Sequence, residues 1–121
     1  MIGKREWLFP DGELPPMGDR DDLYGHESIV ITNPGAVPSE VVITLYWTDR
    51  EPTVSQPFTV GARRVRCIHI TERNGLFGQP VQVGEQYAIG LTCSAPVVAQ
   101  YGRLDMRTGS MAFYTTPGYA E

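Results

Sequence analysis

The chain has 121 residues and a formal net charge of −4, the size expected of one domain over 1–121 and too short for two comfortable ones. Its 41% hydrophobic content suffices for a core, but every apolar run breaks within a few residues, which excludes a transmembrane helix. The acidic balance argues against a nucleic-acid-binding surface spread over the domain, and Trp7, Leu8 and Phe9 behind Lys4 and Arg5 are too short a stretch for a secretory signal. The expected location is cytoplasmic.

Glycine (13) and proline (10) fall between the apolar runs, the punctuation of many short strands joined by turns. Residues 9–24 carry Pro10, Gly12, Pro15, Pro16, Gly18 and the charged run Asp19, Arg20, Asp21, Asp22, and read as a long loop. Residues 27–32 (ESIVIT) form a β-branched run closed by a turn at Asn33, Pro34 and Gly35. In residues 39–47 Val41, Ile43, Leu45 and Trp47 share one face, with Val42, Thr44 and Tyr46 on the other.

Residues 48–52 read as a turn and 58–60 as a short strand. Residues 63–70 alternate again, with Val65, Cys67 and His69 opposite Arg64, Arg66, Ile68 and Ile70. Two further strands, 86–92 and 97–103, are expected to be split by residues 93–96. A last hairpin brings 111–114 back across 107–110, and the tail after Thr116 is expected to fray. No stretch longer than about ten residues shows a helical apolar period. The pattern predicts an all-β fold: an antiparallel, jelly-roll-like β-sandwich of about seven or eight short strands with little or no helix.

Cys67 and Cys93 both sit in apolar, strand-like runs and are expected to be buried, reduced thiols. With no CxxC spacing and two histidines in all, neither a metal nor another cofactor is expected. The basic residues are nine arginines and one lysine, and arginine presents a planar fork of donors suited to carboxylates, phosphates and hydroxyls.

Four clusters could carry chemistry. His26 and Glu27 stand where a loop enters a strand, a pair able to orient a ligand hydroxyl or amine. Tyr46 and Trp47 precede Asp49, Arg50 and Glu51, an aromatic wall beside charged forks; Trp47 reads as core. Arg64 and Arg66 share a half-buried face with Ile68 and Ile70 and need partners there; Arg66 is assigned a structural or interface role, while Arg63 and Arg64 stay open between pocket and subunit interface. Gln100, Arg103 and Asp105 follow a buried run and are well placed to line a rim. None of these makes a nucleophile elbow, a phosphate loop or an HExxH motif.

The order Trp7, Gly12, Pro15; Gly25-His26-Glu27; 43–52 (ITLYWTDREP); 59–64 (TVGARR); 96–105 (PVVAQYGRLD) resembles the sensory rhodopsin transducer family, over about residues 7–114. Residues 71–78 (TERNGLFG) and the segment after Asp105 depart from the family pattern. The resemblance implies a cytoplasmic β-sandwich that assembles into tetramers. Its type member is the soluble partner of a microbial sensory rhodopsin, and the family is regarded as binding small molecules, carbohydrates among the candidates. It implies pocket positions at His26, Glu27, Arg50, Glu51, Arg103 and Asp105; Tyr46 and Gln100 join them from the reading of the residues.

Three functions follow as expectations. The first is a non-catalytic module that binds a small molecule, with a sugar as one candidate. The second is an interaction transducer that docks a membrane photoreceptor and carries no ligand. The third, an enzyme using Glu27 and Asp105 as acid and base, is the least supported, because no catalytic motif accompanies the two carboxylates.

Overall fold

The computed structural model describes residues 1–20, 22–107 and 109–121. Among them there are nine strands and no helix: β1 Lys4–Glu13, β2 His26–Asn33, β3 Ser39–Trp47, β4 Thr53–Val54, β5 Phe58–Val60, β6 Arg64–Ile70, β7 Gln86–Asp105, β8 Ala112–Pro117 and β9 Tyr119–Ala120. All pairings between these strands are antiparallel. The all-β sandwich expected from the alternating pattern is the fold found.

β7 belongs to two sheets. Its first part pairs with β1 on one side and β3 on the other; from Val98 onward it pairs with β2 and β8. The first sheet is extended by β9 beyond β1, and by β4 and β5 along the outer edge of β3. The second is extended by β6 beyond β2. Inward positions follow the two-residue period. Ile29, Ile31, Val41, Ile43, Leu45 and Ile89 are fully buried, and with Phe9, Leu91, Ile70 and Val97 they form one core between the sheets. Burying each such side chain stabilises the fold by about 1.5–3 kcal/mol.

Four expectations change. The strands 86–92 and 97–103 are one 20-residue strand. Side chains replace ladder bonds where it passes between sheets: Ser39 Oγ donates to the Ala95 carbonyl at 2.8 Å and accepts from its N–H at 3.1 Å, and Ser94 Oγ accepts from Glu40 N–H at 2.8 Å. Pro96, which has no N–H to give a ladder, sits at this crossing. The loop expected from Phe9 begins only after Glu13, because β1 runs on through a bulge between Phe9 and Gly12 that accommodates Pro10.

The tail does not fray: Tyr119 and Ala120 pair with Leu8 and Trp7. Cys93 is buried, but Cys67 is exposed, since its parity points outward with Val65. Burial pushes the Cys93 thiol up to about 11, with Glu6 adding to it. The hairpin expected at 107–110 and the charged run at 19–22 each include one residue, Thr108 and Asp21, that lies outside the described residues.

Candidate functional site

The inward parity of β2 puts Glu27 in line with Ile29 and Ile31, so the fold carries a carboxyl group into its interior, where it is 0% exposed. An isolated buried carboxylate would be costly. Three donors answer it: the hydroxyls of Tyr87 and Tyr101 both donate to Glu27, as does the backbone N–H of Glu13 at 3.1 Å. Both tyrosines occupy inward positions on β7 and are buried, where a phenol needs a polar partner. Burial pushes the Glu27 carboxyl above its usual range, while the hydroxyls of Tyr101 and Tyr87, and then Arg103, pull the other way. Burial, reinforced by the Glu27 charge, raises both phenols far above their ordinary value.

Arg103 links this interior to the surface. It sits directly opposite Glu27 on β7 and opposite Tyr114 on β8. Its Nε donates to Tyr101 Oη at 3.1 Å and its Nη2 to the Asp11 carbonyl at 3.3 Å, with the Asp11 carboxylate at 3.6 Å. The guanidinium carbon lies 5.3 Å from the Tyr114 ring centroid. Among the described residues Nη1 has no protein acceptor, and the Arg103 side chain is 12% exposed. Beside it Arg107 bridges Asp105 and Glu13, the latter at 2.9 Å. The hydrogen bond from Arg107 holds the Asp105 carboxyl below its ordinary value.

Of the residues singled out from sequence, Glu27 and Arg103 come together, and Asp105 stands on the same rim. The others lie elsewhere. His26 has the opposite parity to Glu27; its ring stacks on His69 with centroids 4.5 Å apart, and its Nδ1 is 3.0 Å from the Tyr24 carbonyl. Arg50 lies 3.9 Å over the Trp47 ring and pairs with Asp49 and Glu85, while Glu51 is exposed in the adjoining turn. Tyr46 is exposed on the outer face of the first sheet, and Gln100 on the outer face of the second. Arg66 donates to the Thr59 carbonyl and caps the stacked rings of Phe58 and Phe77, which fits the structural role assigned to it.

Sequence reasoning missed Tyr87, Asp11, Glu13, Tyr114 and Arg107 as neighbours of this site. Parity could have supplied Tyr87: it falls in step with Ile89 and Leu91, and Glu27 in step with Ile29 and Ile31, so a buried acid required buried hydroxyls. No such signal exists for Asp11, whose place depends on the bulge in β1. Among the described residues no group of three or more His, Cys, Asp or Glu could hold a metal ion.

The fold and this site define a small all-β module in which one strand, shared by two sheets, binds a buried glutamate and carries an arginine to the rim. The chain belongs to the Anabaena sensory rhodopsin transducer family, whose model matches residues 2–120. It is similar to the crystal structure of Thermotoga maritima 1070 at 33% identity and a TM-score of 0.82, covering 100% of this chain and 97% of that one. It is also similar to the Anabaena sensory rhodopsin transducer itself, at 30% identity and a TM-score of 0.70, covering 83% of this chain and 96% of that one. Among curated proteins none matches this chain. No helix among the described residues is long and apolar enough to cross a membrane.

Proposed function

We propose that this transducer-like chain is a non-catalytic sensing module of the cytoplasm that binds a small, acceptor-rich molecule such as a sugar or sugar acid at the Arg103 rim. The observation that carries the reading is the state of Arg103. Its Nε and Nη2 are fixed by Tyr101 and Asp11, and its Nη1 is left open beside the Tyr114 ring. A guanidinium held on one edge is a pre-oriented fork for a carboxylate or a pair of hydroxyls, and the neighbouring ring offers a flat apolar wall. Asp105 and Arg107 stand beside it and supply further polar contacts to the same ligand. The commitment of Glu27 to three internal donors, and of Asp105 to Arg107, argues against an acid and base pair.

A second surface supports the assembly of this module into a tetramer. The outer face of the second sheet carries Val65, Val98 and Phe113, exposed at 64%, 42% and 63%. An apolar sheet face of this kind favours association. The alternative, docking to a membrane photoreceptor without a ligand, draws on the name of the Anabaena relative and would use such a face rather than the rim.

A thermal-shift panel of sugars, sugar acids and nucleotides, run on the native protein and on Arg103→Ala, tests the binding reading. A ligand at a hundredfold excess over its Kd adds about 2.7 kcal/mol. A shift present in the native protein and lost in a folded Arg103→Ala variant supports the rim site. A flat panel on the native protein favours the docking alternative.

A further inference from the structure

On the outer face of the first sheet, away from the core and from Arg103, there is an open trough of about 230 Å³. Its floor is Gly90, which stands between Leu8 of β1 and Thr44 of β3. A methyl group on Gly90 would come within 3.1 Å of Tyr46 Cε2, so the missing side chain is what lets the Tyr46 ring lean across the sheet. Tyr119 of β9, opposite Leu8, adds a second aromatic ring to the lining.

The charge on this face is one-sided. Glu6 and Glu121 exchange both backbone hydrogen bonds, each at 2.9 Å, so their side chains project from the same face as directly opposed neighbours. Both line the trough, and no lysine or arginine does. Like charges directly opposite across a ladder are destabilising. Neither carboxylate takes part in an ion pair among the described residues, and neither does Arg5, the residue before Glu6 on β1; Lys4 lies beyond a register shift. Glu121 accepts a hydrogen bond from the Tyr119 hydroxyl at 2.7 Å, which increases the electron density of that ring.

Two electron-rich rings, an apolar floor and two uncompensated carboxylates form a receptor for a positive charge with an apolar outline. We infer that this trough binds a small organic cation, with a guanidinium or quaternary ammonium head lodged over Gly90 between Tyr46, Tyr119 and the Glu6 and Glu121 carboxylates. Its volume suits a head group rather than a large ligand. The site is separate from the Arg103 rim and opposite in charge preference, since two carboxylates repel an anionic or acceptor-rich ligand.

The test is an amide NMR titration of the full chain with choline and with agmatine, using 3,3-dimethylbutan-1-ol as the neutral counterpart of choline. Either cation is expected to shift the resonances of Leu8, Gly90 and Tyr119, and the neutral alcohol to leave them in place. Glu6→Gln and Tyr46→Leu are each expected to weaken binding about tenfold, the scale of one charge or one cation–π contact, while Arg103→Ala leaves it unchanged. Absence of shifts with both cations at millimolar concentration overturns the inference. So does equal binding of the neutral alcohol, or affinity undiminished in a folded Glu6→Gln variant. Because the Arg103 variant is read in the same titration, loss of the rim site and loss of this one are told apart.

Discussion

Tyr87 and Tyr101 lie fourteen residues apart on one strand, yet both hydroxyls donate to the same Glu27 carboxylate. A straight strand would separate them by about 46 Å, far beyond what two phenols can span. The shared bond therefore reports how sharply β7 folds over as it passes from one sheet to the other, and it ties the ends of that strand to β2.

Removing the carboxylate should cost the fold more than removing any one donor. Glu27→Ala strands two buried hydroxyls and a backbone N–H and is expected to destabilise by about 3–5 kcal/mol, as for breaking a buried charged network. Tyr87→Phe and Tyr101→Phe are expected to cost about 1–3 kcal/mol each, with the pair non-additive because they share one partner. Urea unfolding of the three variants and the double variant checks this. Strict additivity would show that the hydroxyls do not act through one group.

The pH dependence has an unusual sign for a glutamate. Burial raises Glu27 above its ordinary 4.5, so between that value and the folded one the native state binds more protons than the unfolded chain. Stability from this group therefore falls as pH rises through the window, and the loss is complete above the folded pKa. The difference in unfolding free energy between the native protein and Glu27→Gln, followed from pH 4.5 upward, is expected to move steadily against the native protein. A difference that stays flat would place Glu27 at its ordinary pKa.

Arg103 separates binding from structure. Arg103→Ala removes the open Nη1 donor but leaves Tyr101 bonded to Glu27, so a loss of ligand-induced thermal shift with an intact apo fold is expected. Arg103→Lys should not restore binding, because a point ammonium cannot hold Tyr101 and a ligand on two edges. If Arg103→Ala instead dissociates the assembly, the residue is a structural partner and the rim site fails.

Gly25 tests the approach to β2. A Cβ there would stand 2.1 Å from the Pro16 carbonyl oxygen, a clash with backbone that no rotamer relieves. Gly25→Ala is expected to destabilise by more than about 2 kcal/mol, read as a fall in the urea midpoint. A neutral result would mean that the Pro16 carbonyl does not stand against Gly25.

The assembly can be read separately. Val98→Glu on the outer face of the second sheet is expected to reduce the solution mass measured by light scattering from that of the proposed tetramer to a smaller species, with little change in monomer fold. A native mass already corresponding to a monomer would remove that face as an interface.

Much of this molecule is determined locally. The alternation in residues 39–47 and 63–70 separates two faces on each strand, and β3 and β6 keep that separation, although Cys67, expected inside, falls on the outward face of β6. His26 and Glu27 mark the start of β2 for the same reason: a loop ends where β-branched alternation begins. Glu27 is half legible: its place where a loop enters β2 reads from the sequence, while its burial in step with Ile29 and Ile31 is a finding of the structure. Which hydroxyls would meet it, and that Arg103 would approach through Tyr101 while His26, Arg50 and Gln100 were sent to other faces, depended on the fold of β7 and the bulge of β1. Alternation along a strand specifies faces with a period of two; only the long-range register between strands, fixed by the packed core and by Ser39 and Ser94 at the crossing, decides which faces meet.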